Sequence, residues 1–156
     1  MFPALRPLLN KGGAGRYISR EASVERLQPV AQRHLDLLLA YDRQLAALPD
    51  GPAREQIAAM MPYLRTEVAK MSETILSLGG TPPSGAGAMP VSTAPAASDR
   101  ERIQGFLDAE KDFAGALRHE VDEVHHQERT RAILNHNAEA SVARTELLRG
   151  ILSRQS

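Results

Sequence analysis

His34, Glu67 and Glu110 are the residues whose types and positions could do chemistry together in this sequence. Each falls on or beside a run of apolar residues at helical spacing, where a titratable side chain is costly unless it is paired, hydrogen-bonded or bound to a metal. One imidazole and two carboxylates in an apolar interior form a ligand set for a single Fe, Mn or Zn ion. The chain has no cysteine. Thiolate sites, iron–sulfur clusters, disulfides and thiol nucleophiles are therefore excluded, and any metal must be held by His, Asp or Glu. The same residues have a purely structural alternative, in which His34 hydrogen-bonds to Glu67 or to nearby backbone and Glu110 either snorkels or meets Tyr41. Asn135, His136, Asn137 and Glu139 are the polar candidates from the last part of the chain.

A second constellation, His119, Glu123 and His126, aligns on one helical face pointing away from the apolar stripe, which reads as a solvated charged face, with an adventitious or subunit-bridging metal site as the alternative. His125 and His126 together read as an exposed turn. There is no phosphate-binding glycine loop, no Gly-x-Ser-x-Gly elbow and no His-Glu-x-x-His motif. No catalytic residue is assigned.

Four helices must position these groups. Leu27, Ala31, His34, Leu38, Tyr41, Leu45 and Leu48 form one stripe of a helix over about 20–48, stopped by Pro49-Asp50-Gly51-Pro52. Ile57, Met61, Leu64, Val68, Met71, Ile75 and Leu78 form the stripe of a second over about 52–79, ended by Gly79-Gly80. The short break makes the pair an antiparallel hairpin. Counted from that turn, His34 and Glu67 stand at one height. Pro29 and Pro62 each precede one of them by five residues, so a kink could widen the bundle there, unless Pro29 marks the start of its helix.

Residues 81–98 carry no charge and consist almost entirely of Pro, Gly, Ala, Ser and Thr. Such a segment builds neither helix nor core, yet extended it reaches about 60 Å, enough to run the length of a helix about 40 Å long. Beyond it a single helix over 99–154 is formally possible but too long for a compact domain. Dividing the segment to match the first two helices puts a turn near His125-His126-Gln127, where the apolar stripe lapses. This gives helices over about 99–125, with the stripe Ile103, Phe106, Glu110, Phe113, Leu117, Val121 and Val124, and 128–154, with Ile133, Leu134, Ala138, Leu147, Leu148, Ile151 and Leu152. The sequence thus predicts an all-α antiparallel four-helix bundle with a long crossover between its second and third helices.

Composition bounds what the bundle does. The length of 156 residues allows one domain, and 19 basic residues balance 19 acidic ones. That neutrality argues against nucleic acid as a partner, leaving only a basic, flexible N-terminal arm over 1–19 with Arg6, Lys11 and Arg16. No apolar run is long enough to span a bilayer and Arg6 and Pro7 interrupt any signal-peptide core, so no membrane partner and a cytoplasmic location are expected.

The segment Glu67-Val-Ala-Lys-Met-Ser-Glu73-Thr-Ile75-Leu76-Ser-Leu78-Gly79-Gly80-Thr-Pro82 resembles the end of the second helix in the bacterioferritin, starvation-ferritin and rubrerythrin group. Leu107-Asp-Ala-Glu110-Lys-Asp-Phe-Ala-Gly-Ala-Leu117-Arg118 is similar to that group's third helix, where the Glu matching Glu110 is a metal ligand. The resemblance implies a ferritin-like bundle over roughly residues 24–154 and a homo-oligomer, dimer or larger. It also implies a di-iron centre built from one Glu on each of two helices and a Glu-x-x-His on each of the other two. This sequence departs from that pattern. The second-helix motif reads Leu64-Arg65-Thr66-Glu67, the fourth-helix position reads about Asn137-Ala138-Glu139-Ala140, and His34 stands where the family carries Glu. Only Glu110 matches as a ligand. Arg65 replaces the haem-ligating Met of bacterioferritins, which argues against haem.

Two functions follow. One is a divergent ferritin-like bundle without a standard di-iron centre, non-catalytic or weakly metal-binding, and oligomeric. The other is a metal-dependent oxidoreductase, with ferroxidase or peroxide and dioxygen chemistry at an unconventional site of His34, Glu67 and Glu110, completed by Asn137 or water. A nucleic-acid-coating role resting on the basic arm ranks below both.

Overall fold

The computed structural model describes residues 19–85, 98–123 and 128–154. Within them the elements are four helices, α1 (Arg20–Ala47), α2 (Pro52–Ser77), α3 (Asp99–Glu123) and α4 (Glu128–Arg154). Residues 1–18 of the basic arm over 1–19, most of the crossover and the turn near His125-His126-Gln127 lie outside the described residues.

Local chemistry sets the helix ends. Ser19 caps α1, its hydroxyl accepting from the Ala22 amide at 3.1 Å, and Glu21 adds an acid to the first turn. Pro52 opens α2 at a position where a missing N–H costs nothing. At its other end Gly79 adopts φ 87°, the left-handed region that glycine tolerates best. There the Gly80 amide donates to the Ile75 carbonyl at 2.9 Å and the Gly79 amide to Leu76 at 3.0 Å, closing a Schellman turn. Pro29 lies inside continuous α1 and Pro62 inside α2. Both are exposed, and so are Glu25 and Ala58, whose carbonyls each proline leaves without a helical donor; water can hydrate those carbonyls.

Contacts between helices fix their directions. Asp42 pairs with Arg65 across α1 and α2, and Gln44 with Arg102, Tyr41 with Glu110 and Arg26 with Glu120 across α1 and α3. Arg100 reaches the Leu152 carbonyl across α3 and α4, and Arg154 reaches Gln56 across α4 and α2. Every adjacent pair is antiparallel, so α2 and α3 run the same way and their connection must travel the length of the bundle. Its start is tied to α1: the Gln28 side chain donates to the Thr81 carbonyl and that of Gln32 to Gly85. This is the all-α bundle with a long crossover that the spacing predicts. Around the ring α3 packs most closely on α4, while α2 and α4 touch least.

The core has apolar ends and a polar middle. Leu48, Ile57, Met61, Ile103, Phe106 and Ile151 fill one end; Leu27, Val30, Met71, Ile75, Leu117 and Leu134 fill the other. Burial of such side chains supplies about 1.5–3 kcal/mol each, enough to carry a costly polar layer between them.

Candidate functional site

Each helix sends a side chain to the middle layer. α1 contributes Tyr41, α2 Glu67, α3 Glu110, and α4 both Ser141 and Arg144; all are buried, with Glu110 at 0% and Glu67 and Arg144 each at 6% exposure. Their sequence positions follow from helical spacing: Ser141 and Arg144 lie on the same face as Leu134 and Leu148, where the apolar stripe of α4 turns polar.

Glu110 is the acceptor at the centre. Its Oε1 accepts from the Tyr41 hydroxyl at 2.7 Å and from Arg144 Nε. Its Oε2 accepts from the Ser141 hydroxyl at 2.6 Å and from Arg144 Nη2 at 3.3 Å. A carboxylate offers about four acceptor positions, so Glu110 is saturated by its protein partners. Arg144 continues through Nη1 to Glu67 Oε1 at 3.0 Å. Glu67 Oε2 lies 3.6 Å from Nε2 of His136, whose side chain is 60% exposed, so Glu67 is where the network meets the surface.

The electrostatics follow from that geometry. Burial works to lower the Arg144 pKa, but the charge and hydrogen bonds of Glu110, then Glu67 and Tyr41, raise it overall, so the guanidinium stays charged. Burial, reinforced by Glu110, pushes the Tyr41 phenol well above its ordinary value. Burial also raises Glu67, against the lowering pull of Arg144 and His136. Two acids and one cation share the layer.

The structure thus joins Glu67 and Glu110, but through Arg144, and it gives His34 another place. His34 is fully buried and stacks on Phe113, ring centroids 4.8 Å apart, one helical turn along α3 from Glu110. Neither ring nitrogen has a hydrogen-bond partner among the described residues, so the bond to Glu67 or to nearby backbone that the structural alternative gives His34 is not formed. Burial first and the Arg144 charge second lower its pKa to about 3, leaving a neutral imidazole. Among the described residues no three His, Asp or Glu side chains converge as a metal-holding group. Of the α4 candidates, Asn137 is buried, its amide donating to the Ile133 carbonyl while Oδ1 lacks a partner; Glu139 is exposed. Glu110 does meet Tyr41, as the structural alternative has it. His119 and Glu123 are exposed on α3, Glu123 pairing with Arg26, and His126 lies outside the described residues.

Sequence reasoning missed Ser141 and Arg144. The signal was the lapse in the fourth stripe between Ala138 and Leu147, where the positions that continue the inward face are Ser141, Arg144 and Thr145.

No family model matches the chain, and no curated protein matches it in sequence. Solved structures do match in shape. A point mutant of Dps1 from Mycobacterium smegmatis superposes with a TM-score of 0.75 at 14% identity, covering 85% of this chain and 96% of that one. A ferritin-like diiron-carboxylate protein from Bacillus anthracis gives 0.62 at 17% identity, with the same shares covered. The four-helix order, the long crossover and these likenesses together define a ferritin-like fold.

That fold implies a pair of metal ions between carboxylates, and the residues here do not fit one. The acceptor positions of Glu110 are filled by Arg144, Tyr41 and Ser141, and a fixed cation already stands between it and Glu67. α4 supplies no Glu-x-x-His to the layer; it supplies the cation.

Proposed function

We propose that this chain is a ferritin-like bundle without a standard di-iron centre, working as a non-catalytic or weakly metal-binding homo-oligomeric protein of the cytoplasm. The observation that carries the reading is the saturated Glu110 carboxylate, with Arg144 bridging it to Glu67. The oligomeric part rests on the family resemblance of the second and third helices. The location draws on the described helices, none of which is long and apolar enough to cross a membrane.

The test is metal analysis of wild-type protein purified from metal-replete cells, with Fe(II) oxidation followed optically and mass measured by light scattering. The reading expects substoichiometric Fe, Mn and Zn, background Fe(II) oxidation and a mass above that of one chain. Stoichiometric metal removed by Glu110→Ala overturns it.

One observation favours the second reading, a metal-dependent oxidoreductase using His34, Glu67 and Glu110. His34 is buried and neutral with both ring nitrogens unpartnered among the described residues, the state a metal ligand requires. For this reading Arg144 must first leave both carboxylates. Fe(II) oxidation above background, lost in both His34→Ala and Glu110→Ala, would establish it.

A further inference from the structure

We infer that the polar layer is a guanidinium-selective site, filled in cis by Arg144, and not a metal site that an arginine happens to block. This deepens the proposed function by naming the cation for which the carboxylates are arranged.

The shape of the contacts is the reason. Glu110 grips one edge of the guanidinium through Nε and Nη2, while Glu67 takes Nη1 at 3.0 Å. The two acids therefore address different edges of one planar group. A divalent ion needs its oxygens drawn in to about 2.0–2.6 Å around a single point, which carboxylates spaced for a planar fork do not provide. An ammonium has all its donors on one atom and cannot meet Glu110 along a planar two-nitrogen edge while also reaching Glu67. Charge alone would favour a divalent ion between two acids, so geometry and charge predict different occupants. The hydroxyls of Tyr41 and Ser141 side with geometry: at 2.7 and 2.6 Å they donate to Glu110 and hold its plane toward the guanidinium edge.

Chemical rescue of the full-length Arg144→Ala variant tests this. Thermal melting is followed by circular dichroism with added methylguanidinium, ammonium or Co(II), at matched ionic strength. The expected result is a saturable rise in Tm with millimolar methylguanidinium that recovers half or more of the loss and disappears in Arg144→Ala/Glu110→Gln. Wild type, whose site is filled, shows no saturable rise. Stabilisation by Co(II) with the appearance of its d–d absorption, or a folded variant indifferent to methylguanidinium, overturns the inference. If Arg144→Ala does not fold alone, the same additives are supplied during refolding. Recovery of helical signal with methylguanidinium supports the inference; recovery with Co(II) only, or with neither, overturns it. Failure here is read on the variant, whereas failure of the proposed function is read on wild-type metal content and Fe(II) oxidation.

Discussion

Arg144 and Glu110 meet edge to edge across α3 and α4, two nitrogens of one guanidinium on two oxygens of one carboxylate. Both residues are withdrawn from solvent. Each ion loses several kcal/mol of hydration on burial, which their attraction offsets only while the hydrogen bonding is complete.

Truncating one partner should therefore cost much more than removing the whole set. Arg144→Ala is expected to lose about 3–5 kcal/mol, because two acids are left buried without a cation. Arg144→Lys should also be less stable than wild type, since an ammonium cannot reproduce the two-nitrogen edge on Glu110 together with the third contact to Glu67. The combination Arg144→Met, Glu67→Gln, Glu110→Leu should recover most of the loss. Urea midpoints at constant m-value check all three.

His34 makes stability fall in acid. Its folded pKa of about 3 lies below the ordinary 6.5, so between those values the unfolded chain binds a proton that the folded chain refuses. Stability then rises with pH, by up to about 1.4 kcal/mol per unit from this group. Glu67 acts in the opposite sense: its raised pKa gives stability that is full below the ordinary 4.5 and is lost as pH rises through the folded value. His34→Phe, which keeps a ring against Phe113, should flatten the acid limb in unfolding titrations run from pH 7 downward.

Tyr41 sets the alkaline side. Its phenol stays protonated in the fold above the ordinary value of 10.0, while the unfolded chain ionises there, so stability falls as pH rises past that point. Tyr41→Phe should remove this alkaline limb and cost about 1.5–3 kcal/mol at neutral pH by leaving Glu110 short of a donor. Tyrosinate absorbance should show one phenol in wild type that ionises only on unfolding, and Tyr41→Phe should lack that phase.

Gly80 is a packing constraint. A Cβ there would lie 2.5 Å from Val24 Cγ1 and 2.9 Å from Ile75 Cγ2. Gly80→Ala is expected to cost about 1–3 kcal/mol, and Val24→Ala should relieve part of it in a double-mutant cycle.

The first hairpin was legible because Pro49-Asp50-Gly51-Pro52 and Gly79-Gly80 mark its helix ends, whereas the turn after α3 has no such residue and followed only from helix length and the lapse of the apolar stripe. Tyr41 meeting Glu110 was one of two alternatives the stripes left open for that carboxylate, and it is the one the structure shows. The expected meeting of His34 and Glu67 failed for a reason that height alone hides. The two side chains face different neighbouring helices, so a shared height on one hairpin does not bring them together. His34 faces α3, where it stacks on Phe113, and Glu67 faces α4, where it meets Arg144 and His136. Arg144 stayed hidden because an arginine among surface-type neighbours reads as solvated; only its phase relative to Leu134 and Leu148 places it inside.

The division of the polar layer between hairpins has a kinetic consequence. Glu110, Ser141 and Arg144 all belong to the α3–α4 hairpin, so their contacts can close early, at sequence separations of 31 and 34. Tyr41 and Glu67 belong to the other hairpin and join across separations of 69 and 77, which only docking of the two halves can bridge. Substitutions at Arg144 and Glu110 should then slow folding, while those at Tyr41 and Glu67 should mainly hasten unfolding. Contacts between the two hairpins, those of Tyr41 and Glu67 among them, should then weigh more on the lifetime of the assembled bundle than on the rate at which it forms.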